Sequence, residues 1–301
     1  MHKRSYLFKI ADFHIRLDYR PNSYNYIELL PSFQSFIANE DNNSLINIIY
    51  TLTVDNSFTR TTNIAHIKTI DTGNGDTIVN SINDAGYQFI IKNLAGEICC
   101  ILETDDKFKS CKCGLYGTES MRRFGLNDAL MMGFAFAASH HNTLLIHASC
   151  IKYNNKAYAF IAKSGTGKST HSSLWLNHIP GTELINDDNP IIKVADNGET
   201  FLYGSPWSGK TTCYRNTKVK LGALVNIQRD KENSITKLNA LAAFSKLLPA
   251  CSTMKWDKII YNNICATIGR LIETTSVFTL NCLPNKEAAE LCQKNISNTL
   301  S

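Results

Sequence analysis

Apolar and polar positions alternate through the first part of the chain, up to about residue 115. DTGNGD, Asp71 to Asp76, is turn chemistry between two strand-like runs at 64–70 and 77–82. YQFIIKNLAGEICCIL, Tyr87 to Leu102, reads as a strand, a turn at Asn93–Gly96 and a second strand. The period then lengthens. In GLNDALMMGFAFAASHH, Gly125 to His141, apolar residues at Leu126, Leu130, Phe134 and Ala137 keep helical spacing, with Asn127 as the N-cap. A boundary near residue 118 follows. It divides a β-rich N-terminal domain, 1–118, from a second domain, 119–301, that the helix opens.

In the second domain TLLIHASCIKY, Thr143 to Tyr153, predicts one strand, and KAYAFIA, Lys156 to Ala162, predicts its return. Asn154 and Asn155 between them suit a two-residue hairpin, because Asn tolerates positive φ. With that turn Tyr153 lies opposite Lys156, and the same register puts His147 opposite Ala162. A helix is expected from about Lys168 to Asn177, stopped by Pro180 and Gly181. ELINDDNPIIKV, Glu183 to Val194, is extended, DNG turns, and ETFLYG, Glu199 to Gly204, returns as a second hairpin. A strand and a helix close the pattern in SVFTLNCLPNKEAAELCQKNI, Ser276 to Ile296. The predicted fold class is α/β in the broad sense (α+β), with a mixed, hairpin-rich sheet.

Composition changes this picture little. The chain has 301 residues, 44% hydrophobic and 19% charged, which suits one or two domains with a real core. A net charge of +5 without a dense basic run gives no reason to expect a nucleic-acid partner. The longest apolar stretch, Ala129 to Ser139, is too short to span a bilayer, and the first residues lack a signal-peptide pattern. A cytoplasmic protein with no membrane partner is therefore expected. The ten cysteines then read as small buried apolar residues. Cys111 and Cys113 form a C-x-C pair, but no second pair stands at metal-site spacing. The oligomeric state is open, with a homo-oligomer among the allowed answers.

The chemistry concentrates in AKSGTGKST, Ala162 to Thr170. It matches G-x-x-x-x-G-K-[ST] at every specified position except the first, where Ala162 stands for glycine. An apolar strand precedes it and a helix follows. In such a loop the backbone N–H groups of Ala162, Lys163, Ser164, Gly165, Thr166 and Gly167 turn toward phosphate oxygens, and the helix N-terminus adds its positive end. Lys168 would reach the β- and γ-phosphates, the Ser169 hydroxyl would ligate magnesium, and Thr170 completes the nucleotide-binding stretch. A magnesium site calls for a further carboxylate, and Asp187 and Asp188 stand at the end of the apolar segment ELI. One would hold the metal while the other accepts a proton from an attacking hydroxyl. Asp188 is the expected base. Asp187 is expected to serve magnesium or to pair with His147. The stretch GSPWSGKTTCYRN, Gly204 to Asn216, predicts a loop. Its cations Lys210 and Arg215 suit phosphates or an acidic substrate, and Trp207 and Tyr214 suit a binding surface. LPACSTMKWDK, Leu248 to Lys258, is a candidate second loop near the site.

The segment IHASCIKYNNKAYAFIAKSGTGKST…LINDD resembles the catalytic core of the HPr kinase/phosphorylase-like proteins. These share a phosphate-loop fold with ATP-dependent phosphoenolpyruvate carboxykinase. The family pattern is a strand histidine, a hairpin, the glycine loop, a helix and an Asp-Asp pair, which fall here on His147, Ala162 to Ser169, and Asp187–Asp188. The LLIHAS form is similar to stand-alone HPr-kinase-like proteins, including some that phosphorylate peptide precursors. The match runs from about Thr143 to Val194, continues more weakly to about Arg229, and does not reach the N-terminal region. Two features depart from the pattern: Ala162, and the stretch Gly204 to Asn216 in place of a glycine-rich signature after the Asp pair. The resemblance implies an ATP- and Mg2+-dependent kinase acting on a hydroxyl, Ser or Thr of a small protein or peptide. A small-molecule kinase, a carboxykinase-type reaction and a non-catalytic nucleotide-sensing module are the alternatives.

Overall fold

The computed structural model describes residues 4–21, 25–38, 48–83, 85–209 and 211–297. The chain forms two compact units, Met1–Ala138 and Ser139–Ser301.

The first unit is built on an eight-stranded sheet. Its strands are β1 (Ser5–Ile10), β2 (Phe13–Tyr19), β3 (Ile48–Val54), β4 (Ala65–Asp71), β5 (Asp76–Ser81), β6 (Gly86–Lys92), β7 (Ile98–Asp105) and β8 (Ser110–Leu115). They lie in the order β1-β2-β3-β8-β7-β6-β5-β4. Strand β3 runs parallel to β2 and β8, and the remaining neighbours are antiparallel. The two hairpins read from the sequence form where the turn residues place them, with Asp71 paired to Asp76 and a turn at Asn93–Gly96.

Helix α1 (Glu119–Ser139) follows. It starts eight residues before the expected Asn127 cap, because the Thr118 hydroxyl accepts from the Met121 N–H at 3.4 Å and takes that role. Leu126, Leu130, Phe134 and Ala137 are buried, as helical spacing requires. Phe134 meets Phe13 edge-on, and Phe136 meets Phe108 at 5.1 Å between ring centroids. The helix thus packs on the N-terminal sheet, and the compact units divide at 138/139 rather than near 118.

Burial on this helix pushes the Asp128 carboxyl up to about 7. A carboxyl raised in the folded state gives stability that is whole below its unfolded value, near 4, and lost as the pH rises through about 7. Asp128→Asn is expected to gain about 1–2 kcal/mol over the parent by pH 8, after discounting for partial exposure, and much less at pH 5. Thermal melts at the two pH values measure it.

The second unit carries β9 (Thr143–Leu145), β10 (Ala148–Tyr153), β11 (Lys156–Ile161), α2 (Lys168–His178), β12 (Glu183–Asn186), β13 (Ile191–Val194), β14 (Thr200–Tyr203), β15 (Lys218–Arg229), β16 (Ser234–Lys237), α3 (Ala240–Leu247), α4 (Lys258–Thr274), β17 (Ser276–Cys282) and α5 (Lys286–Ser297). The long strand β15 organises the sheet. It runs parallel to β11 and β17 and antiparallel to β14, while β12-β10-β11 extend one side and β13-β9 continue from β14. Trp175 of α2 and Ala288, Ala289, Cys292 and Ile296 of α5 cover one face, packing on Tyr158, Phe160, Val225 and Phe278. Tyr158 stacks on Trp175 at 5.8 Å. The architecture is mixed α+β with a hairpin-rich sheet.

The hairpin register is as expected. Tyr153 faces Lys156, Ala148 faces Ile161, and Asn154 and Asn155 have φ of 47° and 60°. The expected strand from Thr143 to Tyr153 is broken, however. Thr143–Leu145 pair with β13, Ala148–Tyr153 pair with β11 and β12, and the break falls at Ile146–His147. Nine of the ten cysteines are buried, and Cys265 is half-buried. No helix among the described residues is long and apolar enough to cross a membrane.

Candidate active site

The glycine loop joins β11 to α2, as its spacing requires. Gly165 and Gly167 have φ of +74° and +127°, a region where a side chain is strained. Ala162 is not among the residues with positive φ, so its place in the loop does not need glycine's freedom. Its half-buried methyl packs on the core under α2 and α5. A Thr166 N–H to Lys163 O bond of 3.1 Å tightens the loop. The first N–H groups of α2, from Lys168, Ser169 and Thr170, have no acceptor within the helix. Lys163, Ser164, Ser169 and Thr170 are exposed. Lys168 leans back with Nζ 3.5 Å from the Ala162 carbonyl.

Arg229, at the end of β15, was not singled out by the sequence. Its Nη2 donates to the Gly165 carbonyl at 2.6 Å and its Nε to the Thr166 carbonyl at 3.0 Å. It ties off two carbonyls of the loop.

His147 occupies the break between β9 and β10. Its N–H donates to the Ala250 carbonyl at 2.7 Å, and the flanking Ala148 N–H donates to the Asp188 carbonyl at 2.9 Å. The stretch 248–252 therefore reaches the site through its backbone, with Ile146 bridged to Cys251. The His147 Nδ1 lies 3.2 Å from Asp188 Oδ1. The alternative pairing of His147 with Asp187 does not form. Asp187 turns inward instead, where Ser149 Oγ donates to its Oδ1 at 2.6 Å and lies 2.6 Å from Ser172 Oγ of α2. Adjacent residues leaving a strand end point to opposite sides, which separates the two carboxylates.

The charges around this point act on one another. Burial pushes the Asp188 carboxyl up from its ordinary value, against the opposing pull of His147 and Lys168. Burial first, and then the Lys168 charge, lower His147, which Asp188 partly restores. Burial also lowers Lys168, with Asp188 and Asp187 opposing. A histidine held below 6.5 is neutral near pH 7 and suits a hydrogen-bonding role beside a carboxylate.

The fully buried Asn186 builds the turn that carries both aspartates. Its Oδ1 accepts from the N–H groups of Asp188 at 3.0 Å and Asn189 at 2.9 Å. Its Nδ2 donates to Ser205 O, Ser205 Oγ and Trp207 O between 3.1 and 3.3 Å. The Gly204–Asn216 stretch is thereby fastened beneath the Asp pair. A Cβ on Gly209 would lie 2.8 Å from the Asp187 carbonyl and 3.3 Å from Asp188 Cβ, so only glycine fits that approach. Trp207 is buried and packs inward. Lys210 lies outside the described residues.

Arg215 stands apart from this cluster. Its Nη1 pairs with Glu183 Oε2 at 2.8 Å, and both side chains are about half exposed. Glu183 is opposite Lys152, whereas the aspartates follow Asn186 at the other end of β12. Such exposed pairs contribute about 0–1 kcal/mol. Arg215→Ala is therefore expected to change stability by less than about 1 kcal/mol, read from thermal melts.

Among the described residues, no group of three or more His, Cys, Asp or Glu is placed to hold a metal. A magnesium ion here would draw its ligands from Ser169, one carboxylate, water and substrate phosphates, a donor set that suits this cation.

No protein-family model matches the chain. No curated protein matches either. Among solved structures, an Hpr(Ser) kinase/phosphatase from Coxiella burnetii is similar over 50% of this chain and 95% of its own, with a TM-score of 0.31 and 10% sequence identity. The likeness is a distant one of fold.

Proposed function

We propose that this protein is an ATP- and magnesium-dependent phosphotransferase that moves the γ-phosphate to a hydroxyl, Ser or Thr of a small protein or peptide. One observation carries the reading. The glycine loop with Lys168 and the His147–Asp188 pair are brought within electrostatic reach of each other on neighbouring elements of one sheet. The loop N–H groups and the first turn of α2 bind the phosphate chain. Lys168 offsets charge on the transferring group. Asp188 takes the proton of the attacking hydroxyl, and His147, neutral, holds that carboxylate in position. Ser169 and Asp187 are the residues to hold Mg2+, which when bound neutralises charge on the phosphate oxygens. Asp187 also ties β10 to α2 through Ser149 and Ser172.

The altered stretch Gly204 to Asn216, fastened to the Asp pair, supports an acceptor other than HPr. The test is transfer of label from γ-labelled ATP, with magnesium, to pools of small proteins, peptides and free hydroxy amino acids. Labelled Ser or Thr in a peptide or protein pool is the expected result. Label only in the free amino acids makes this a small-molecule kinase. Tight ATP binding with no transfer to any pool points to a nucleotide-sensing module.

A further inference from the structure

The two glycines leave the middle of the loop soft. Thr166 stands between Gly165 and Gly167, whose φ values are +74° and +127°. A peptide plane beside a glycine turns more freely than one between residues that carry a Cβ. Packing does not restrain these planes either. A Cβ at Gly165 would meet nothing within 4 Å, and one at Gly167 only Thr170 Cβ at 4.0 Å.

Arg229 supplies the restraint. Its Nη2 and Nε donate to consecutive carbonyls, Gly165 at 2.6 Å and Thr166 at 3.0 Å. A trans peptide carries its C=O and N–H on opposite sides of one plane, so fixing the oxygen also aims the N–H. Holding the Gly165 carbonyl directs the Thr166 N–H, which donates to the Lys163 carbonyl at 3.1 Å and closes the turn. Holding the Thr166 carbonyl aims the Gly167 N–H away from the arginine. That N–H immediately precedes the Lys168, Ser169 and Thr170 N–H groups at the start of α2. The clasp therefore sets the entry to the row of donors that an anion would meet.

The clasp is anchored outside the loop. Arg229 ends β15, where it is paired with Cys282 of β17, and the following Asp230 N–H donates to the Cys282 carbonyl at 3.2 Å. The guanidinium thus reaches the loop from the sheet. The residue is exposed, so its replacement leaves no cavity in the core.

We propose that Arg229 is a positioning residue for phosphate binding, which holds the glycine loop in its anion-accepting form before any ligand arrives. A loop already in shape avoids the ordering that binding would otherwise require. Shape matters here as well as charge. A guanidinium presents its donors in a fixed planar fork that spans two neighbouring carbonyls, whereas an ammonium is a point charge. The inference rests on the phosphate-loop reading and adds to it the part that shapes the loop.

Calorimetric titration of the full-length protein with magnesium tripolyphosphate tests it beside Arg229→Ala and Arg229→Lys, and needs no acceptor. Arg229→Ala is expected to weaken binding about tenfold. Arg229→Lys keeps the charge and is expected to remain at least about fivefold weaker than the parent. Hydrogen exchange of the ligand-free protein reads the loop directly. Exchange over 162–170 should be faster in Arg229→Ala than in the parent, with the melting temperature unchanged. Parent-like affinity in Arg229→Ala overturns the inference and leaves phosphate binding by the loop standing. Full affinity in Arg229→Lys does the same, because charge alone then suffices. So does unchanged exchange over 162–170, since the loop then keeps its shape without the clasp. Failure of the parent protein to bind tripolyphosphate overturns the phosphate-loop reading and this inference with it.

Discussion

On the proposed phosphotransferase reading, Asp188→Asn is expected to lower phosphoryl transfer by about 10²–10⁴-fold and to leave ATP binding within a few-fold. The amide is nearly isosteric, so the turn around Asn186 persists, and its backbone contact with Ala148 is untouched. What it cannot do is accept a proton from the acceptor hydroxyl. Single-turnover transfer, measured beside ATP titration, separates the two effects. Burial raises Asp188, so transfer by the parent protein is expected to be lost as the pH falls through a value above the ordinary carboxylate range. The Asn variant should show no such acidic limb in its residual rate. Transfer at the full rate in Asp188→Asn sinks the base assignment. His147→Gln provides a contrast, because it removes the partner of Asp188 and keeps the base. It should shift the acidic limb upward, since His147 is one of the groups holding the Asp188 value down.

Asn186→Leu is expected to cost about 3 kcal/mol or more of stability. Leucine matches the volume and belongs in a core, so hydrophobicity is not the issue. The loss lies in the partners. The Asp188 and Asn189 N–H groups lose their shared acceptor, and Ser205 and Trp207 lose a donor, all in a buried setting. For a unit of this size the melting temperature should fall by roughly 6–12 °C. Transfer should fall as well, even at temperatures where the variant is folded, because the turn that presents Asp188 is no longer pinned. A variant that melts like the parent, or that transfers like it when folded, shows that Ser205 and the surrounding packing hold the turn without Asn186.

The parts of this fold legible in the sequence are those written in local chemistry. Asn154–Asn155 defined the turn and through it the whole β10–β11 register. Gly165 and Gly167 announced their positive φ, and alternation marked the hairpins of the first unit. Elements set by distant contacts were not legible. The chain break at Ile146–His147 depends on Ala250 and Pro190, whose carbonyls take N–H groups that one continuous strand would have spent elsewhere. Arg229 stands more than sixty residues from the loop it clasps, and nothing beside it distinguishes it from a surface cation. The start of α1 differs for a smaller reason: Asn127 has the local chemistry of a cap, whereas the helix begins at Glu119 with the Thr118 hydroxyl in that role. In the candidate site the loop, His147 and both aspartates were visible as residue types at fixed spacings. Asn186 was visible only as part of a turn, and its donors to Ser205 and Trp207 required the fold.

The break at His147 has a consequence for how this site tolerates change. The histidine is placed by a carbonyl from residue 250, and its neighbour Ala148 by a carbonyl from residue 188. Every residue type except for its side chain offers the same carbonyl. The scaffold around His147 and Asp188 is therefore expected to be indifferent to many side-chain replacements at 250, provided the backbone keeps its path. Mutational scanning across 248–252 should find tolerance at exposed side chains and sharp intolerance to insertions and deletions, the signature of a support specified by shape rather than by letters.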